Sequence, residues 1–368
     1  MKSLHRLLTE TDSLLHVCIT GAGPRLLHEI WQTPGCSAYF MGADLPYNAH
    51  ETDSLLGFFP EGYTSESTAY HLAMCAYIKS AEVKVVKKLT GDPLGVGICA
   101  AVATNRELKG GTRGHMVVIS KDDVGHREIP LESYHSDATG QRLDNDMRLS
   151  VLARTSLQLT LSRTRLGHPG QWQRALDLLH EYPVFHPSGL RSARSADVGL
   201  YLPATLNPLH DGHRTMCTSA ESDYICPQQA RYLVSTVSPH KGSMSIQQIL
   251  GIVAQVRAEK WSGNERIVEF TADEPLFINK ARKRPGSSFI IGADTMKRML
   301  DPRWGPDPRT MLDEMARLGT RFLVRGRTID GKWVSCRDID VPWPHGNLFR
   351  PIGGRVDISS TEIRKTTQ

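Results

Sequence analysis

Apolar positions in this chain fall in short clusters, some spaced as on one face of a helix and some running together as in a buried strand. The start, MKSLHRLLTETDSLL, has leucines at helical intervals interrupted by acidic Glu10 and Asp12, and predicts an amphipathic first helix. Residues 22–33 read as a helix ended by Pro34-Gly35, Ser37–Leu45 as a strand, and Ser65–Ser80 as a helix with small residues on one face. Gly95–Ala103 reads as a buried strand, with Arg113–Ser120 as its neighbour. Leucines at 143, 149, 152, 157 and 159 stand among arginines, so residues 141–163 predict one long helix packed on that domain. Helices and strands in this order predict an α/β layer architecture.

Residues 166–195 differ in character. Gly167-His168-Pro169-Gly170, Pro183 and Pro187-Ser188-Gly189 surround one short helix near Trp172–His180, and the stretch reads as a linker. A first domain over 1–165 precedes it. A second α/β domain over 196–368 follows, with Val198–Leu202 as its first strand. Two cores suit a chain of 368 residues. Hydrophobic content of 40% and charged content of 23% exclude a disordered or fibrous chain. The net charge of +5 suits binding of anionic nucleotides and is too slight to argue for nucleic acid. No apolar stretch approaches the roughly eighteen residues of a membrane span, and no small-residue cleavage site follows the N-terminal leucines. Seven cysteines without a CxxC pair point to no metal site and no redox dithiol, but to buried thiols in a reducing cytosol. The expectation is a cytoplasmic protein with neither membrane nor nucleic-acid partner.

The strongest chemical signal is Asn207-Pro208-Leu209-His210-Asp211-Gly212-His213, directly after a strand and before a helix. An HxGH turn at such a junction points two imidazoles and a helix N-terminus at one anion, and Gly212 lets the backbone come close to it. Far downstream lies Ile358-Ser359-Ser360-Thr361-Glu362-Ile363-Arg364. Ser359 and Glu362 have capping-box spacing, the ordinary start of a helix, and that start would also bind a triphosphate through hydroxyls, free N–H groups and a guanidinium.

Together these motifs resemble the HxGH nucleotidyltransferase superfamily, and within it the nicotinamide mononucleotide adenylyltransferases. Three further stretches match in order: Ser238-Pro239-His240-Lys241, Phe289–Thr295 with its Gly292-Ala293-Asp294, and Phe322–Arg327. The resemblance implies a Rossmann-like domain with a parallel sheet. It also implies transfer of a nucleotidyl group from ATP, with Mg²⁺, to a nicotinamide or nicotinate mononucleotide, releasing pyrophosphate. On it, His210, His213, Lys241 and Arg364 carry the catalytic charge. Thr205, Leu206, Asn207 and Gly212 shape the phosphate turn, Ser359, Ser360 and Thr361 grip the β- and γ-phosphates, and Arg325 binds phosphate. Gly292 and Asp294 sit at the ribose, and Trp304 is placed either on the pyridine ring or in the core. The chain departs from the family at Pro203 and Ala204, where two glycines are usual, and at Leu206, where phenylalanine is. Cytidylyl transfer to another phosphorylated acceptor therefore stays open, as does a nucleotide-binding protein without turnover.

In the first domain, Pro34–Gly42, Tyr47-Asn48, Leu55-Leu56-Gly57, Thr64-Ser65-Glu66 and Gly95–Cys99 resemble the C-terminal domain of the CinA family, which includes nicotinamide mononucleotide deamidases. Where that family carries Glu-Ser-Cys-Thr-Gly-Gly, this chain reads Ile19-Thr20-Gly21-Ala22-Gly23-Pro24. Thr20 stands at the serine position with no base identified. Gly21-Ala22-Gly23 reads as either a phosphate loop or a packing turn. A domain without deamidase activity is the expectation. Both families often self-associate, which leaves a homo-oligomer open.

Overall fold

The computed structural model describes residues 3–101, 112–131, 138–162, 169–182, 184–186, 189–191, 198–223, 229–238, 242–263 and 265–354. In chain order the first elements are α1 (Leu4–Glu10), β1 (Ser13–Thr20), α2 (Arg25–Trp31), β2 (Phe40–Asp44), α3 (Ala49–Leu56), α4 (Glu66–Lys87), β3 (Asp92–Ala100), β4 (Arg113–Ile119), β5 (Val124–Pro130), α5 (Ala138–Leu161) and α6 (Pro169–Glu181). There follow β6 (Val184–His186), β7 (Gly189–Arg191), β8 (Leu200–Pro203), α7 (Asp211–Asp223), β9 (Arg231–Ser235), β10 (Val237–Ser238), β11 (Gly242–Ser243) and α8 (Ile246–Ala258). The last are β12 (Val268–Thr271), α9 (Phe277–Lys283), β13 (Ser288–Gly292), α10 (Ala293–Met299), α11 (Pro308–Arg317), β14 (Arg321–Arg325), β15 (Arg327–Ile329), β16 (Lys332–Val334) and β17 (Phe349–Ile352). The fold is mixed α/β. Among the described residues no helix is long and apolar enough to cross a membrane.

The chain forms two compact units. The first comprises Met1–Tyr182, Ser188–Arg191 and Ser245–Gly263, and the second comprises Pro183–Pro187, Ser192–Met244 and Asn264–Gln368. Helix α6, inside the stretch read as a linker, and helix α8, inside the stretch read as the second domain, both lie within the first unit.

The first unit is built on a sheet ordered β2-β1-β3-β4-β5. Strands β1, β2 and β3 run parallel, and β4 and β5 are antiparallel additions. The amphipathic N-terminal helix of the sequence reading is shorter than expected. It stops at Glu10, Asp12 turns the chain with φ 46°, and the following apolar run is the fully buried strand β1. Such a strand is covered on both faces, so its sequence reads as a continuous apolar run without alternation.

Helix α4 is buried on nearly every side. Ser65 caps its first turn by accepting from the Thr68 N–H. The helix lies so close to β3 that a Cβ at Gly95 would stand 2.4 Å from the Tyr77 nitrogen, and one at Gly97 2.3 Å from the Ala69 carbonyl oxygen. Ala69, Ala73 and Ala76 supply the matching small surface. On α8, residues Ile246, Ile249, Leu250, Val253 and Val256 are buried, each contributing about 1.5–3 kcal/mol. Glu82 of α4, itself buried, is held by Arg257 and Lys260 at 3.4 and 2.6 Å.

In the second unit the parallel strands are ordered β12-β9-β8-β13-β14-β17, with β6 antiparallel beside β12. Counted along the chain this order is three-two-one-four-five-six, the doubly wound arrangement of dinucleotide-binding sheets. Its core stacks Phe289, Phe322 and Phe349 across adjacent strands, with Met296, Met311, Leu312 and Met315 packed on them.

Replacing Gly97 by alanine should cost about 1–3 kcal/mol of unfolding free energy, because the added methyl meets main chain. Gly251→Ala in α8, where nothing lies within 4 Å, should instead raise stability by about 0.5–1 kcal/mol. Urea unfolding of the two variants checks this, and equal effects would contradict it.

Candidate functional site

The order of the second sheet reverses between β8 and β13, and in such sheets ligands bind outside the carboxyl ends of the strands at that switch point. Two of the motifs, the HxGH turn and the Gly292-Ala293-Asp294 stretch, leave the sheet there. The chain leaves β8 through Ala204–His210 and enters α7 at Asp211; it leaves β13 at Gly292, which caps α10. The β8–α7 turn is fixed from beneath. Leu206 is fully buried with φ 46°, a conformation unfavourable for leucine that its packing holds in place.

The turn sets the state of both histidines. Gly212 donates its N–H to His210 Nδ1 at 3.1 Å, and His210 donates its own N–H to His213 Nδ1 at 3.4 Å. With Nδ1 accepting, each neutral ring carries its hydrogen on Nε2. The rings stack with centroids 3.8 Å apart. Burial, together with the charges of Arg214 and Arg327, lowers the His210 pKa. Burial, then His210, Arg214 and Arg327, push His213 down to about 3. At neutral pH the site therefore presents two uncharged Nε2–H donors at the start of a 13-residue helix.

Arg325, buried at the end of β14, donates from Nε to the Gly354 carbonyl at 3.1 Å and from Nη1 to the Gly212 carbonyl at 3.5 Å. Its described bonds hold the HxGH turn against the segment that follows β17. Arg327 is the residue the sequence reading passed over. Half exposed, it pairs with Asp294 at 3.4 Å, and its charge acts on both histidines. Asp294 also accepts from Arg298 at 2.9 Å. A Cβ at Gly292 would stand 2.6 Å from Asp294 Oδ1, so this glycine lets the carboxylate fold back over the start of α10. Thr205 and Asn207 lie half-buried in the β8–α7 turn. Trp304 falls in the short helical turn Pro302–Trp304, with its side chain outside the described residues. Lys241, Ser359, Ser360, Thr361 and Arg364 also lie outside the described residues. The carboxylates at the turn and at α10, Asp211 and Asp294, are each paired with arginine, so this chain offers an anion cradle there.

In the first unit, Gly21 and Gly23 form a packing turn. A Cβ at Gly21 would stand 1.9 Å from the Ala100 carbonyl oxygen, and Gly23 donates its N–H to Asp146 at 2.7 Å. A carboxylate thus already takes the N–H that a phosphate loop would offer. Thr20 is buried opposite Cys99, and no base bonds its hydroxyl among the described residues. Cys18, Cys75, Cys99, Cys217 and Cys336 are buried and in no disulfide, as expected.

The chain matches no family profile and no curated protein. Among solved structures it is similar to a competence or damage-inducible protein from Enterobacter asburiae, at 12% identity and a TM-score of 0.31, over 45% of this chain and 99% of that one. Another is the competence/damage inducible protein CihA from Agrobacterium tumefaciens, at 17% identity and a TM-score of 0.29, over 43% and 92%. A third is a CinA superfamily protein from Enterobacter cloacae, at 12% and 0.31, over 44% and 88%. The matched part is the N-terminal region.

In a histidine-detected NMR titration, the resonance lost in a His213→Asn variant should keep its neutral position from pH 8 down to pH 5. Titration with a midpoint near 6.5, the ordinary value, would contradict the burial of this ring.

Proposed function

We infer that the second unit is a nucleotidyltransferase. It moves the adenylyl group of ATP onto the phosphate of a nicotinamide or nicotinate mononucleotide, giving a dinucleotide and pyrophosphate. The observation that carries this reading is the pair of neutral Nε2–H donors at the start of α7, placed where the strand order reverses. In such a transfer the acceptor phosphate attacks the α-phosphorus in line, a bond to that phosphorus forms, and the bond to the β-phosphate bridging oxygen breaks. The protein's task is positioning and stabilisation of charge on phosphate oxygens. His210 and His213 would donate to those oxygens, the α7 N-terminus would favour their charge, and Arg327 would add a cation. Arg325 would act through the turn it holds. Mg²⁺ would arrive on the triphosphate, held by its own oxygens, and neutralise its charge. Lys241, Ser359, Ser360, Thr361 and Arg364 keep the phosphate-binding roles their motifs imply.

A second reading, with CTP as donor or another phosphorylated acceptor, is favoured by one observation. Pro203 ends β8 without an N–H, and the Ala204 N–H is bonded to the Leu233 carbonyl at 3.1 Å. Neither can serve the phosphates as two glycines would. For the first unit, the occupied glycine turn supports a domain without deamidase activity.

The purified chain with ATP, Mg²⁺ and either mononucleotide should form dinucleotide and pyrophosphate. Loss of one donor in His213→Ala should lower kcat by about 10²–10³-fold. Turnover of CTP in place of ATP would select the second reading, and no product with either acceptor, at ATP concentrations shown to bind, would overturn the first.

A further inference from the structure

The reading above leaves one polar cluster in the first unit unused. His16 and Cys18, two residues apart on β1, face the same side of the sheet. Parallel pairing sets Asp44 of β2 beside Cys18, and Gly42 beside His16. His16 Nε2 lies 2.8 Å from Asp44 Oδ2, the Cys18 thiol approaches the same oxygen at 3.5 Å, and Lys79 of α4 donates to Oδ1 at 2.6 Å. The Lys79 ammonium and the His16 ring thus meet Asp44 on its two separate oxygens, as partners of an ionised carboxylate do. An ionised carboxylate only accepts. Oδ2 therefore faces two hydrogens, one on the imidazole and one on the thiol.

We propose that His16, Cys18 and Asp44 form a site for a divalent transition cation of the zinc class, the cation taking the place of those two hydrogens. The imidazole nitrogen, the thiol sulfur and a carboxylate oxygen all lie within 4.8 Å of one another. Zinc bonds of about 2.0–2.3 Å would place tetrahedral donors roughly 3.3–3.8 Å apart. On binding, the thiol proton leaves to solvent and the imidazole hydrogen moves from Nε2 to Nδ1. Three bonds form from the cation to nitrogen, sulfur and oxygen, and water completes the set. Thiolate with imidazole selects zinc-like ions over magnesium or calcium, which take oxygen ligands.

Two features of the surroundings bear on this use. His16 Nδ1 is buried without a partner, and Gly42 leaves room beside it: a Cβ there would stand 3.2 Å from Cε1 and 3.4 Å from Nδ1. A hydrogen moved to Nδ1 meets no acceptor among the described residues, a cost that the three bonds to the cation must offset. Lys79 on Oδ1 orients the carboxylate, as outer partners of metal ligands do. Thiolate and carboxylate together neutralise the cation. The Asp44 and Lys79 side chains are each 27% exposed, which gives a route in from solvent, whereas Cys18 is closed off.

The full chain, freed of metal with a chelator, is titrated with Co²⁺. The expected result is one equivalent bound per chain, with the visible bands of tetrahedral cobalt and a thiolate-to-cobalt charge-transfer band, all displaced by Zn²⁺. Cys18→Ser should abolish the charge-transfer band. Asp44→Asn, isosteric and at a partly exposed side chain, should weaken Co²⁺ binding at least tenfold. Cys36→Ser should leave the spectrum unchanged. No charge-transfer band in the unaltered chain, or unchanged affinity in Asp44→Asn, would overturn the proposal. So would a band that survives Cys18→Ser and disappears in Cys36→Ser.

Discussion

A helix can rest on a strand at main-chain distance only where the strand carries no side chain, and the first unit is organised by that constraint. Gly95 and Gly97 remove the two Cβ atoms that would strike α4, while Ala69, Ala73 and Ala76 thin the helix on its facing side. The close contact makes α4 a central element, covered by the sheet on one side and by α8 on another. Ser80 then donates to the Leu14 carbonyl, and Lys79 meets Asp44 on β2. The placement of the His16 cluster follows from the same packing, because the helix that fits against glycines also brings the ammonium to the carboxylate.

The second unit obtains its site by a different route. Parallel strands direct their carboxyl ends to one edge, and the reversal of order at β8 and β13 leaves an opening between the connections that follow them. The HxGH turn closes on itself through two N–H groups donated to ring nitrogens, so its chemistry is preset: two hydrogens on Nε2 and no charge on either ring. Buried Arg325 fixes the turn from behind, and the more exposed Arg327 supplies positive field in front. Neutral donors backed by fixed cations present hydrogen bonds and positive field to an anion without reorganising.

Much of this was legible in the sequence where the determinants are local. The turn after β8, the strand that ends at Gly292 and the small face of α4 are each written in one short stretch of sequence. Non-local determinants were not legible. His16 and Asp44 meet only because β1 and β2 pair in one register. Helix α8 has the apolar spacing of any surface helix, and nothing in that spacing names α4 as its partner. Strand β1 followed a helical leucine pattern without a break, since a strand covered on both faces loses the alternation that marks it. Arg325 and Arg327 stand two apart in one motif, and only packing distinguishes the clamp from the exposed cation.

The central claim is that a nucleotide's phosphates are held at the switch point of the second sheet. Its most direct test is a crystal structure of the full chain with a non-hydrolysable ATP analogue. The account predicts phosphate oxygens at hydrogen-bond distance from Nε2 of His210 and His213, between the Leu206–His213 turn and Gly292. A nucleotide seated elsewhere, or none at saturating concentration, would contradict it.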